Sequence, residues 1–154
     1  MMVGMVHDVQ SIALRQLETA LRLYFEGEDY YSVITLAGVA EEILGQLLIC
    51  SGGENSLSAI KKATGATHEV LYDEKLNDSE TSELANAARN AMKHWSPDRP
   101  KVLEFDARGE AKDMLNRAID NYYNLTGNLS SLMARFQEGT VIDNAHIRLD
   151  SPGK

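Results

Sequence analysis

The stretch Asp29–Cys50, DYYSVITLAGVAEEILGQLLIC, decides the fold. Val33, Leu36, Ala40, Ile43 and Leu47 recur at spacings of three and four and draw one apolar stripe; Ile34, Ala37, Leu44 and Leu48 draw a second beside it. A helix apolar on two adjoining faces belongs at the centre of a helical fold. Its charge-free runs, Tyr30–Ala40 and Ile43–Gly53, each fall well short of the roughly 18 apolar residues that span a membrane, so a core helix is expected and no membrane partner. Glu41 interrupts the second stripe. A carboxylate there sits at the edge of the core or is paired, because an unpaired buried charge is costly, and Arg89 is the expected partner. Glu42 shares a face with Thr35, Gly38, Gly45 and Gln46, small enough for another helix, or a second copy of the chain, to approach closely.

Working outward, a first helix is expected from about His7 to Glu26, with Ala13, Leu14, Leu17, Leu21 and Tyr24 at helical spacing and Gly27 as its stop. A third runs from about Ser56 to Thr64 and ends at Gly65; Ala66–Asp78 is ambiguous, a loop with or without a short helix. A fourth starts at a Ser79 cap, gains from Glu80 and Glu83 in its first turn, and reaches about His94, with Pro97 and Pro100 preventing extension. A fifth is expected as one long helix from an Asp106 cap to Gln137, because Leu115, Ala118, Tyr122, Leu125, Leu129, Leu132 and Phe136 form a heptad-like seam. The pattern predicts an all-α, up-and-down bundle of four to five antiparallel helices with a long C-terminal helix: one domain over residues 1–137 and a polar, frayed tail over 138–154.

At 154 residues the chain is long enough for one ordinary core, and 44% hydrophobic against 25% charged residues is a globular balance. A single cysteine, Cys50, excludes an internal disulfide, and His7, His68, His94 and His146 are too scattered to suggest a metal site in a bundle; no cofactor is expected. The N-terminal residues lack a signal-peptide pattern, so a cytoplasmic location is expected. The net charge of −8 argues against bulk electrostatic binding of nucleic acid, and no DNA partner is expected. Locally the balance reverses: Arg89, Lys93, Arg99 and Lys101 place four cations within thirteen positions.

The chemistry-bearing segment is RNAMKH, Arg89 to His94. Asn90 and His94, four apart, share a helix face; Arg89 and His94, five apart, are separated by about 140° around a helix. Two copies of the segment meeting antiparallel would bring two Arg and two His to one cleft. The Arg-x4-His spacing, with Asn straight after the Arg and a long helical pattern after the motif, resembles the HEPN superfamily of helical ribonuclease and nucleotide-binding domains. The resemblance spans most of residues 5–137, although only the motif is diagnostic.

That resemblance implies a homodimer whose paired motifs form a metal-independent endoribonuclease of toxin or defence type, with RNA as substrate and a nucleotidyltransferase-type antitoxin protein as partner. It implies Arg89 and His94 as the catalytic pair, with Arg89 binding phosphate and stabilising developing charge while His94 transfers protons. Asn90 would orient phosphate or imidazole, Lys93 would attract phosphate, and Glu41 would support the site. The chemistry is coherent: His titrates near neutral pH, and a guanidinium can donate two parallel hydrogen bonds to a phosphorane-like transition state formed by 2′-OH attack. The residues also admit a structural reading, with Arg89 paired to Glu83 or to a carboxylate of another helix, His94 at a helix C-terminus, Lys93 solvated and Trp95 an anchor. The corresponding function is a non-catalytic helical dimer that binds nucleotides or proteins, as many members of that superfamily do.

Overall fold

The computed structural model describes residues 4–72 and 77–149, all of it helix, turn or loop. The first helix, α1 (Val9–Glu26), is capped by the Asp8 carboxylate, which accepts from the Ser11 amide, and it ends at Gly27 in the left-handed conformation with φ 75°. Asp29 caps α2 (Tyr30–Cys50) by accepting from the Ser32 amide, and Ser51–Gly53 closes it. These boundaries follow the expected ones closely.

The expected central helix is central. Val33, Ala37, Ala40 and Leu44 of α2 are fully buried, packed by Ala13, Leu17 and Leu21 of α1 on one side and by Leu115, Ala118 and Ile119 of a later helix, α6 (Ala107–Thr126), on the other. Each buried Leu or Ile contributes about 1.5–3 kcal/mol relative to exposure. By length and composition alone α2 also meets the requirements of a membrane-crossing helix, but half of that span is buried inside the fold, against α1 and α6.

Three expected elements differ from the observed ones. The third helix, α3 (Ser56–Tyr72), runs straight through Gly65, whose φ is not positive and which costs about 1 kcal/mol within a helix without breaking it; of the ambiguous region that follows, residues 73–76 lie outside the described residues. The expected fourth helix is two, α4 (Asp78–Ala85) and α5 (Ala87–Lys93). It is capped not by Ser79 but by Asn77, in a capping box with Glu80. The two meet at Asn86 because the Ala85 carbonyl and the Asn86 side chain both accept from Arg117 of α6, at 3.1 and 3.0 Å. The carbonyl that would cap the amide of Arg89 in a continuous helix is thereby drawn to a side chain.

The single long C-terminal helix is likewise two. Gly127, at φ 72°, ends α6 as a left-handed cap, its amide bonded to the Tyr123 carbonyl at 2.7 Å. Asn128 then bonds back to the Thr126 side chain and carbonyl, and the Ser130 hydroxyl accepts from Met133 to start α7 (Ser131–Leu149). Local side-chain bonds of this sort compete with helix continuation, and the apolar seam does not record them. Leu129, in the turn, is exposed. Beyond the turn Phe136 packs edge-on against Tyr24 of α1, with ring centroids 5.2 Å apart, so α7 covers α1 instead of prolonging α6. The helix continues past Gln137 into the segment expected to fray; residues 150–154 lie outside the described residues.

Candidate active site at the end of α5

The carboxylate that interrupts α2 is 5% exposed and holds the site's scaffold together. Glu41 Oε1 accepts from Arg117 Nη2 at 2.9 Å, and Glu41 Oε2 lies 3.8 Å from Arg89 Nη1. The expected Arg89–Glu41 pair therefore exists, but the closer partner is Arg117, itself 5% exposed. Asn121, fully buried one turn further along α6, donates to the Glu41 carbonyl at 3.1 Å and accepts from the Ser56 amide at 2.7 Å, which fixes the start of α3 against α2 and α6. The Nε groups of both arginines are buried without an acceptor.

Arg89 crosses α2 at Gly38. Its Nη1 donates to the Gly38 carbonyl at 3.2 Å, and a Cβ on Gly38 would stand 2.5 Å from Arg89 Cδ. The glycine thus admits the arginine of α5, an approach within the fold on the face expected to favour close helix contact. Arg89 Nη2 lies 3.9 Å from Glu42 Oε2, a carboxylate that is 57% exposed, so the guanidinium is shared between an inner and an outer acid.

His94 is on the other side of α5. It is the exposed C-terminal cap of the helix, its amide bonded to the Asn90 carbonyl at 2.9 Å. Asn90 and His94 line an open cleft of about 580 Å³ together with Glu83, Ala87, Ala91 and Arg99. Arg99 arrives through a tight turn: Pro97 follows Ser96, the Arg99 amide bonds to the Ser96 carbonyl at 2.9 Å, and the Ser96 hydroxyl donates to the Asp98 carboxylate. That hydroxyl, with the Asp98 amide and the nearby Arg99 charge, holds the Asp98 carboxyl below its ordinary value. Trp95 Nε1 donates to the Pro100 carbonyl at 3.0 Å and clamps the loop; the ring is exposed.

Within one chain, then, Asn90 and His94 come together with Arg99, Lys93 projects from the exposed last turn of α5, and Arg89 turns away to α2 with Glu41. A histidine, an amide and a guanidinium around an open cleft can bind a phosphodiester and exchange a proton with it, against the repulsion of the Glu83 carboxylate that shares the lining. Among the described residues no three His, Cys, Asp or Glu side chains converge as a metal site requires. The sequence reading missed Arg117, Asn86 and Asn121; the available signal was a cation and an amide one turn apart, beside the apolar stripe of α6. No family model, curated protein or solved structure matches the chain.

Proposed function

We propose that the chain is a metal-independent endoribonuclease of the HEPN type, an antiparallel helical bundle that acts as a homodimer in the cytoplasm. The observation that carries this reading is the open cleft lined by His94, Asn90 and Arg99 at the end of α5. In this reading His94 exchanges the proton of the attacking ribose 2′-OH or of the leaving 5′-oxygen, Arg99 and Lys93 attract the phosphate, and Asn90 orients it. Arg89, tied to Glu41 and Glu42 on α2, holds α5 in place. A two-fold arrangement of α5 would double the constellation. The antitoxin partner implied by the family resemblance would shield it.

Incubating the protein with total tRNA in EDTA and mapping product ends tests the proposal. Fragments with 2′,3′-cyclic phosphate and 5′-OH termini are expected; intact RNA, or 3′-OH ends, would reject it.

One observation favours a second reading. Arg89 is occupied by Glu41, Glu42 and the Gly38 carbonyl on the side of α5 away from His94, the placement of a structural arginine in a helical module that binds a nucleotide or a protein without cleaving. Saturable nucleotide binding by a protein that leaves every tested RNA intact would establish that reading.

A further inference from the structure

Phosphate binding does not account for every side chain of the cleft at the end of α5. Beside Asn90, His94 and Arg99 stands Glu83 of α4, whose carboxylate repels a phosphate. Glu83 is exposed and makes no hydrogen bond or ion pair among the described residues. The pairing with Arg89 that the sequence admits is not formed, because Arg89 turns to Glu41 and Glu42. An anionic ligand gains from such a cleft only if its other end carries donors for the acid.

The spacing defines that ligand. The Asn86 amide bonds to the Ser82 carbonyl at 3.1 Å and the Asn90 amide to the Asn86 carbonyl at 2.8 Å, so the helical rise is carried across the junction of α4 and α5. Seven residues then set Glu83 and Asn90 about 10.5 Å apart along the axis, and Glu83, Asn90 and His94 fall within about 40° of one another around it. Between them Ala87 and Ala91 line the cleft, so no bulky side chain separates the acid from the amide. The span suits a single nucleotide, from the Watson–Crick edge of its base to its 3′-phosphate.

A carboxylate presents two acceptor oxygens side by side. On the Watson–Crick edge only guanine answers with two adjacent donors, N1–H and the 2-amino group. Adenine and cytosine set one amino group beside a ring-nitrogen acceptor, and uracil sets one N–H between two carbonyls, so each turns an acceptor toward a carboxylate oxygen. Unpaired RNA bases are read by hydrogen bonds on this edge.

We propose that Glu83 is the base-reading residue of the cleft and selects a guanosine whose 3′-phosphate lies against Asn90, His94 and Arg99. The inference rests on the ribonuclease reading and names its substrate class, RNA cut after an unpaired guanosine. The 2′-oxygen of that guanosine bonds to phosphorus as its proton leaves, the bond to the next 5′-oxygen breaks, and that oxygen takes up a proton. The products end in guanosine 2′,3′-cyclic phosphate and in 5′-OH.

Calorimetric titration of the full chain with 3′-GMP, 3′-AMP, 3′-CMP and 3′-UMP, beside end-mapping of tRNA incubated in EDTA, tests this. 3′-GMP is expected to bind about tenfold or more tighter than the other three, and Glu83→Gln, with wild-type circular dichroism, should bring the four to within about threefold. Equal affinities in the wild type, no saturation by 3′-GMP at millimolar concentration, or a guanine preference that survives Glu83→Gln would overturn the proposal. RNA cleavage without guanosine at the new 3′ ends would also overturn it and leave the ribonuclease standing. A Glu83-dependent preference for 3′-GMP in a protein that leaves RNA intact would support the base-reading role and remove the ribonuclease.

Discussion

Replacing Arg117 by Met should be among the most damaging single changes in the core, and its cost follows from the geometry. The side chain donates to Glu41 at 2.9 Å, to the Ala85 carbonyl at 3.1 Å and to Asn86 at 3.0 Å, all around a guanidinium that is nearly solvent-free. Met fills much of the volume but strands the Glu41 carboxylate, 5% exposed, with only Arg89 at 3.8 Å. Removing one partner of a buried pair costs about 3–5 kcal/mol. In a chain of this size each kcal/mol moves Tm by roughly 2–4 °C, so Arg117→Met should lower Tm by about 6–20 °C. Arg89→Met is the internal comparison. Arg89 makes one hydrogen bond, at 3.2 Å, and two contacts near 4 Å, and it is 15% exposed, so about 1–2 kcal/mol is expected. Urea denaturation followed by circular dichroism, completed with Glu41→Gln and the Glu41→Gln/Arg117→Met double variant, should give a coupling of about 1–3 kcal/mol. An Arg117→Met cost below about 1 kcal/mol, or an equal cost for Arg89→Met, would refute the assignment of Arg117 as the principal partner of Glu41.

Three further outcomes are expected. Gly127→Ala should cost about 1–2 kcal/mol in urea melts, because the residue sits at φ 72°; an unchanged midpoint would mean that α6 and α7 are continuous in solution. Gly38→Ala should displace Arg89, whose Cδ would lie 2.5 Å from the new Cβ, and cost about 1–3 kcal/mol, with a smaller increment in an Arg89→Met background; equal costs in the two backgrounds would contradict the contact. Asp120→Asn should raise Tm at pH 7 and leave it unchanged well below pH 4. Burial raises the folded-state pKa of Asp120, so the fold binds its proton more tightly than the unfolded chain does. The resulting stability is present at low pH and fades as pH rises through the folded pKa, and a Tm gain equal at both pH values would reject that cause.

The central position of α2 was legible because burial on two faces leaves a periodic trace in Val33, Ala37, Ala40 and Leu44. The stop of α1 at Gly27 was legible because it depends on neighbouring residues. The breaks at Asn86 and Gly127 were not. The first is produced by Arg117, 31 positions away, which engages the Ala85 carbonyl, and no local pattern encodes that. The second lay beneath an unbroken apolar seam, since residues on either side of a turn can keep the spacing while facing different neighbours. At the candidate site, helical geometry alone separated Arg89 from the Asn90/His94 face. Glu41 could be read as needing a cation, but the choice between two arginines depends on which helix packs closest, and α6 lies against α2 more extensively than α5 does. Arg99 was visible only as one member of a basic cluster; the turn at Ser96–Arg99 gives it a place beside His94.

The most direct test of the ribonuclease assignment is the rate of tRNA cleavage in EDTA by wild type and His94→Ala, each purified identically and sized by light scattering. His94 is exposed and makes no side-chain contact that holds the core, so the variant should keep the wild type's oligomeric state and Tm. Wild-type cleavage with a loss of about 100-fold or more in the variant is the expected result, the range for removing a general acid–base. Equal rates in the two proteins, or no cleavage by the wild type, would contradict the account.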